Sequence, residues 1–421
     1  MKITWVNHAS FIVECHGISL IVDPWIEGRV FNESWEHISS SVLTYDQFDK
    51  ITHIWFSHEH PDHFFPPNLK KIPKNIREKI TVLYQKTEDG KVINFCKNLG
   101  FKVLEMIPWQ PLFLTPQIKL LNASVSNDSD SWLYFESNDG SFLNLNDCVF
   151  NKKEDLVKIK NKIGQVDLLF TQFSYANWVG NKDDFQLKQK SALEKLSEIK
   201  SHIDVFKPKY TIPFASFVWF CNIDNFHMNA YVNKIDAVTK FIELNHSIPI
   251  VMYPGNVWIL NDKWDNHAPI NAYLSDFESK RNNHNLVNFE EVSFQKLWEA
   301  AENYRIRHLK KNNRNKLRSY KPFKAFLTDA NYCVSFSYRN GLKMIENDQY
   351  ANADISFASQ NLKYCFDFDW GWSTIMVAGT FEKPSNGNFQ NVAEYQWISN
   401  LNNVGKVMPG LWKRLLMKFK S

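Results

Sequence analysis

A chain of 421 residues is longer than one hydrophobic core usually organises, and at about 150 residues per domain it predicts two units. With 44% hydrophobic, 22% charged and 15% aromatic residues it falls among globular proteins, which excludes wholesale disorder, collagen-like repeats and long coiled coils. The formal net charge of +4 is too small to argue for a nucleic-acid partner, and none is expected.

No apolar run approaches the roughly 20 residues of a membrane-spanning helix. The N-terminal residues alternate like a strand and lack the basic start and small-residue cleavage site of an export signal. Six cysteines (Cys15, Cys96, Cys148, Cys221, Cys333 and Cys365) are scattered without paired spacing, as expected of free thiols in a reducing, cytoplasmic setting.

In chain order, 2–14 and 18–23 read as β runs joined at His16-Gly17. A third strand, 51–57, ends directly on His58-Glu59-His60-Pro61-Asp62-His63. Further β runs are expected at 80–84, 102–107, 118–125, 132–136, 141–145 and 167–170, and helices at 87–99 and 188–207, so sheets covered by helices are predicted. The run 248–260 closes a first unit, placed at residues 1–265, and the Asn-, Asp- and His-rich stretch 266–289 reads as a linker. From 290 to 421 a smaller α+β unit is expected, with helical spacing through Phe294, Leu297, Ala301 and Leu309 and strands at 334–338, 355–358 and 374–381. This unit is expected to shape the substrate opening without supplying ligands. Nine Lys or Arg and no acid lie between Arg305 and Lys324, the pattern of a solvated helix face. The tail from Lys413 to Lys420 is fit for peripheral membrane contact at most.

Three imidazoles and a carboxylate within six residues of a strand end exceed what packing asks for. His58 and His60 are two apart, so in an extended segment they point the same way and can grip one cation. Pro61 turns the chain, letting Asp62 and His63 face a second. Imidazole with carboxylate suits zinc, iron or manganese rather than calcium.

The segment Ser57-His58-Glu59-His60-Pro61-Asp62-His63 resembles the HxHxDH signature of the metallo-β-lactamase superfamily. Asn7-His8-Ala9-Ser10-Phe11 and Leu20-Ile21-Val22-Asp23-Pro24-Trp25 resemble the opening strands of its lactonase-like and phospholipase-like branches. The resemblance implies an α/β (α+β) fold, an αββα sandwich with its site at one edge of two sheets, holding one or two divalent ions, zinc or iron. It makes His58, His60, Asp62 and His63 metal ligands, and Asp147 the bridging ligand at the end of the run 143–146. Asp62 would also orient the attacking water, and Asp23 would accept a hydrogen bond from a ligand imidazole and fix its tautomer.

Two imidazoles usual in that superfamily are absent, one before 132–136, where 126–130 stands, and one after 210–213, where 212–217 has none. Asp128, Asp130 and His227 are candidate substitutes, and His8 is a candidate pocket residue. With these departures the chain resembles the metallo-β-lactamase-like part of the CMP-N-acetylneuraminate hydroxylases. Those enzymes also carry a Rieske cluster on Cys-x-His and Cys-x-x-His pairs. No such pair occurs here, so no Rieske cluster is expected in this chain. The leading expectation is a metal-dependent hydrolase of a small polar molecule, phosphate-bearing or a sugar. The alternatives are an iron-dependent hydroxylase of a nucleotide sugar or glycan precursor, fed by a separate electron-transfer protein, and a non-catalytic binding scaffold.

Overall fold

The computed structural model describes residues 1–125, 130–150, 152–283, 285–345 and 350–408. Two seven-stranded sheets face one another. In spatial order the first holds Val257–Ile259, Lys2–Asn7, Ser10–Cys15, Ile18–Val22, His53–Trp55, Thr81–Gln85 and Lys102–Met106. The second holds Ile248–Pro249, Tyr210–Phe214, Leu168–Gln172, Gly140–Asn144, Ser131–Ser137, Ile118–Ser124 and Leu112–Thr115.

Side-chain alternation explains the layering. Phe11, Val13, Leu20, Val22, Trp55 and Leu83 enter the core between the sheets, whereas Ile12, Ile21, Ile54 and Val82 point outward beneath Leu69, Ile76, Val92 and Cys96 of covering helices. That is the period-two pattern of a sheet buried on both faces. Stacked Phe11 and Phe170, with centroids 4.1 Å apart, tie one sheet to the other. On the far side, Leu156, Ile159, Ile199, Ile203, Val238 and Ile242 pack helices onto the second sheet. The result is the αββα sandwich that the resemblance implies.

A separate core lies beyond it, where a four-stranded sheet in the order Gly341–Ile345, Tyr332–Ser337, Phe323–Leu327, Ile355–Phe357 packs against the helix Phe294–Lys311. Three local expectations are corrected. The run 2–14 is two strands, broken by a turn at His8 and Ala9. Within the stretch read as a linker, His267–Asn282 is a helix, because Tyr273 and Phe277, one turn apart, are both buried; the Trp5 indole donates to the Tyr273 hydroxyl at 3.0 Å. Most of 374–381, expected as a strand, belongs to the helix Gly371–Ala378, which Gly379 ends at φ 71°; a short apolar run does not distinguish the two by periodicity.

In the basic stretch, Arg305 pairs with Glu302, and Arg307 and Lys311 both pair with Asp369. Asp128 and the tail 413–420 lie outside the described residues. No helix of the described residues is long and apolar enough to cross a membrane.

Candidate metal centre

Parallel pairing brings the carboxyl ends of Ile18–Val22 and His53–Trp55 to one edge of the first sheet. In the second sheet it does the same for Gly140–Asn144, Leu168–Gln172 and Tyr210–Phe214. Such ends open onto the crevice where α/β folds bind ligands. Asp23, His58, Asp147, Gln172 and Ala215 sit at or just beyond them. Four residues here occupy the left-handed region without being glycine: His8 (φ 35°), Asp23 (40°), Asn146 (49°) and Ala215 (51°). Each costs about 1–3 kcal/mol and persists only where its surroundings dictate it. Here the Asp23 amide donates to the Trp55 carbonyl at 3.0 Å and the Ala215 amide to the His8 carbonyl at 2.9 Å.

Asp23 is fully buried and collects four donors: the Ser57 amide at 2.8 Å, the Ser57 hydroxyl at 2.7 Å, Asn146 Nδ2 at 2.6 Å and His63 Nδ1 at 3.0 Å. This has a consequence two residues deep. The Ser57 hydroxyl spends its only proton on Asp23, so towards His58 Nδ1, 2.9 Å away, it must accept. His58 therefore carries its proton on Nδ1, His63 holds a proton on its own Nδ1 towards Asp23, and both turn Nε2 into the crevice.

There the donors converge in three overlapping groups: His58, His60 and Asp130; His58, His63 and Asp147; and His8, Asp62 and His63. His58 Nε2 lies 2.9 Å from His60 Nδ1 and 3.7 Å from Asp130 Oδ1. His63 Nε2 lies 3.3 Å from both Asp62 Oδ2 and Asp147 Oδ2, and His8 Nε2 lies 3.4 Å from Asp62 Oδ2. Burial pushes His58 down to about 3, with His63 and His60 adding to it. Burial opposes ionisation of Asp62 and Asp147, yet the His63 imidazole holds both carboxyls below their ordinary range. The same two carboxylates overcome burial at His63 and raise it well above the usual imidazole value. Asp130 is raised, chiefly by burial.

Whether these residues fit a cation can be judged from their unmet valences. Among the described residues, both ring nitrogens of His8, His63 Nε2 and Asp62 Oδ1 are buried without a hydrogen-bond partner. No Lys or Arg forms an ion pair with Asp23, Asp62, Asp130 or Asp147 among the described residues. Carboxylates and imidazoles gathered in one crevice with no Lys or Arg to pair them, some with unmet valences, are a donor set that a divalent transition metal takes up. The donor set fits one.

His227 is elsewhere. It lines a separate cavity of about 340 Å³ with Asp224, Lys182 and Glu382, so it does not replace a missing ligand here. Among the residues that the sequence did not single out, Phe31, Lys195 and Val377 line the cavity of about 190 Å³ over the cluster. Lys195 comes from the long helix Phe185–Phe206 and Val377 from the second unit; no local motif announces either, because only tertiary packing brings them in. Phe31 and His60 also border an adjoining groove of about 670 Å³ between the two units.

Residues 2–203 match the beta-lactamase superfamily domain. A putative Rieske 2Fe-2S iron-sulfur protein of Mycolicibacterium smegmatis is 25% identical over 201 residues, 46% of this chain and 38% of its own length. Cytidine monophosphate-N-acetylneuraminic acid hydroxylase of Xenopus laevis is 25% identical over 154 residues, 35% of this chain and 26% of its own. A metal-dependent hydrolase of Pyrobaculum neutrophilum is 33% identical over 63 residues, 15% of this chain and 24% of its own. The chain thus spans well under half the length of these curated relatives. Among solved structures, an isothiocyanate hydrolase from Delia radicum gut bacteria aligns with a TM-score of 0.46 and 11% identity, over 62% of this chain and 98% of its own.

Proposed function

Residues 2–203 belong to the beta-lactamase superfamily, and from that premise we propose that the chain is a metal-dependent hydrolase of a small polar substrate, phosphate-bearing or a sugar. The observation that carries this reading is the convergence of His58, His60, Asp130, His63, Asp62 and Asp147 on one crevice, where His63 Nε2 and Asp62 Oδ1 lack partners. His58, His60 and Asp130 would hold the catalytic ion, with Asp147 between it and His63. A divalent metal bound there supplies Lewis acidity and brings a coordinated water towards a neutral pKa.

The chain's own groups supply the rest. Asp62, kept ionised by its imidazole neighbours and with Oδ1 uncommitted, accepts a hydrogen bond from the water and orients it. Gln172 Nε2 donates to Asp147 Oδ1 at 3.2 Å and holds that carboxylate's rotamer. Lys195, whose ammonium pairs with Glu198 at 2.9 Å, borders the same cavity. Phe31, Trp35 and Val377 narrow the opening and limit bulk water.

A second reading, an iron-dependent hydroxylase of a nucleotide sugar or glycan precursor with a separate electron donor, is favoured by Asp130. A carboxylate where an imidazole is usual makes the donor set harder, which suits iron or manganese better than zinc. The experiment is elemental analysis of full-length protein purified without added metal, followed by turnover assays of phosphate and ester panels with and without oxygen. Bound metal with oxygen-independent hydrolysis is expected. Iron with strictly oxygen- and reductant-dependent product would overturn hydrolysis in favour of hydroxylation, and absence of metal would overturn both for a binding scaffold.

A further inference from the structure

We propose that His8 is the third protein ligand of a second divalent-cation subsite, completed by Asp62 and His63; this rests on reading the cluster as a metal centre. His8 is 1% exposed, yet neither ring nitrogen has a hydrogen-bond partner among the described residues. A buried neutral imidazole normally satisfies at least one nitrogen. The orphaned atoms beside it are also of ligand type: His63 Nε2 and Asp62 Oδ1.

The spacing agrees. Ligand atoms about 2.1 Å from a tetrahedral cation sit about 3.4 Å from one another. His8 Nε2 is 3.4 Å and His63 Nε2 3.3 Å from Asp62 Oδ2. A simple ion pair between His8 and Asp62 would align a proton between them, and no aligned hydrogen bond is present.

The fold accounts for the origin of this imidazole. The segment 212–217, where a ligand imidazole is wanting, does not reach the site with one; instead its Ala215 amide donates to the His8 carbonyl at 2.9 Å. That bond fixes the turn between Lys2–Asn7 and Ser10–Cys15 at the crevice. The turn is tightened by the His8 amide donating to Asn7 Oδ1 at 2.9 Å, and Asn7 Nδ2 anchors to the Ser39 carbonyl at 2.7 Å. The His8 ring then stands edge-on to Trp25, centroids 5.7 Å apart, and has little freedom to turn away. The strained φ of 35° is the backbone's cost for presenting the side chain inward. Between the two subsites stands Asp147, and the Nδ1 bond of His63 to Asp23 leaves its Nε2 directed at Asp62 and Asp147.

The test is cobalt(II) titration of chelator-stripped full-length protein, read by visible absorption and calorimetry, on wild type, His8→Asn, His8→Gln and His58→Ala. Asn tolerates the left-handed backbone that His8 adopts, and Gln offers a second replacement if the first does not fold. Two equivalents in wild type are expected, with both His8 variants keeping the tighter one and losing the other by more than the about 10–100-fold of an outer hydrogen-bond partner. A wild type that takes one equivalent, or His8 variants that take both at wild-type affinity, would overturn the subsite. In the latter case a loss of metal in His58→Ala shows that the metal centre itself stands and only the role of His8 fails. Loss of both equivalents in folded His8 variants would also overturn it, since His8 would then support the whole cluster rather than one position.

Discussion

Two buried histidines, one in each unit, are held by a carboxylate, and they have opposite fates. In the first unit His63 gives Nδ1 to Asp23 at 3.0 Å and turns Nε2 towards Asp62 and Asp147, without a partner. In the second, His308 is equally buried, but Nδ1 meets the Tyr338 hydroxyl at 2.7 Å and Nε2 meets Asp369 at 3.2 Å. Asp369 is itself neutralised by Arg307 at 2.8 Å and Lys311 at 2.9 Å. A carboxylate beside an imidazole is therefore no mark of a metal site. What separates the two is the far nitrogen and whether the surrounding acids have cations of their own.

The sharpest way to break this contrast is to delete an imidazole from each side. His58→Ala and His60→Ala should each lose most bound metal, because one imidazole and a carboxylate retain little affinity for a transition ion. His308→Ala should keep the full metal content and instead lose about 1–3 kcal/mol of stability, since Tyr338 and Asp369 each lose a buried partner. Elemental analysis and urea midpoints on the same preparations decide it. Metal loss in His308→Ala with the fold intact would erase the distinction.

A smaller effect is expected behind the ligands. Asp23→Asn replaces an acceptor of four hydrogen bonds with a group that must turn an NH2 towards one of those donors. The tautomers of His58 and His63 are then no longer both enforced. Metal affinity should fall about 10 to 100-fold with the fold retained, measured by competition with a chromophoric chelator. Unchanged affinity would reduce Asp23 to a structural role.

How much of this was legible in the sequence depended on contiguity. His58, His60, Asp62 and His63 stand within six residues after a strand, so their density alone marked them, whereas Asp23 and Asp147 were reached through the resemblance that gives an Asp after an apolar run its role. Asp130 was one of several candidates, and only the fold places it 3.7 Å from His58. His8 was half visible: the run 2–14 alternates so well that nothing marks its interruption, and a left-handed turn at His8 without Gly or Pro has no sequence signature. His227, attractive by composition, belongs to another cavity because the 3-10 turn Phe226–Ala230 directs it away. Lys195 and Val377 are distant from every motif and arrive by packing alone.

The mildest test concerns protons rather than metal, and it sharpens the contrast from the other side. Burial lowers the pKa of His308, with Asp369 only partly restoring it, and burial pushes His202, whose Nδ1 lies 2.9 Å from the Thr171 hydroxyl, down to about 3. In the unfolded chain both titrate near 6.5. A folded pKa below the unfolded one means that the unfolded state binds more protons, so stability is fully present above about pH 6.5 and is lost as pH falls through that value. Each histidine can contribute up to about 1.4 kcal/mol per pH unit in that window. Urea unfolding of chelator-stripped protein from about pH 8 to about pH 5 should show the decline, and His202→Gln and His308→Gln should each flatten part of it, because glutamine cannot take the proton. A slope that persists unchanged in His308→Gln would mean that the wild-type His308 is already cationic when folded. It would then be a partner of Asp369 by charge, and the difference from His63 would lie in its neighbours alone rather than in its own saturated nitrogens.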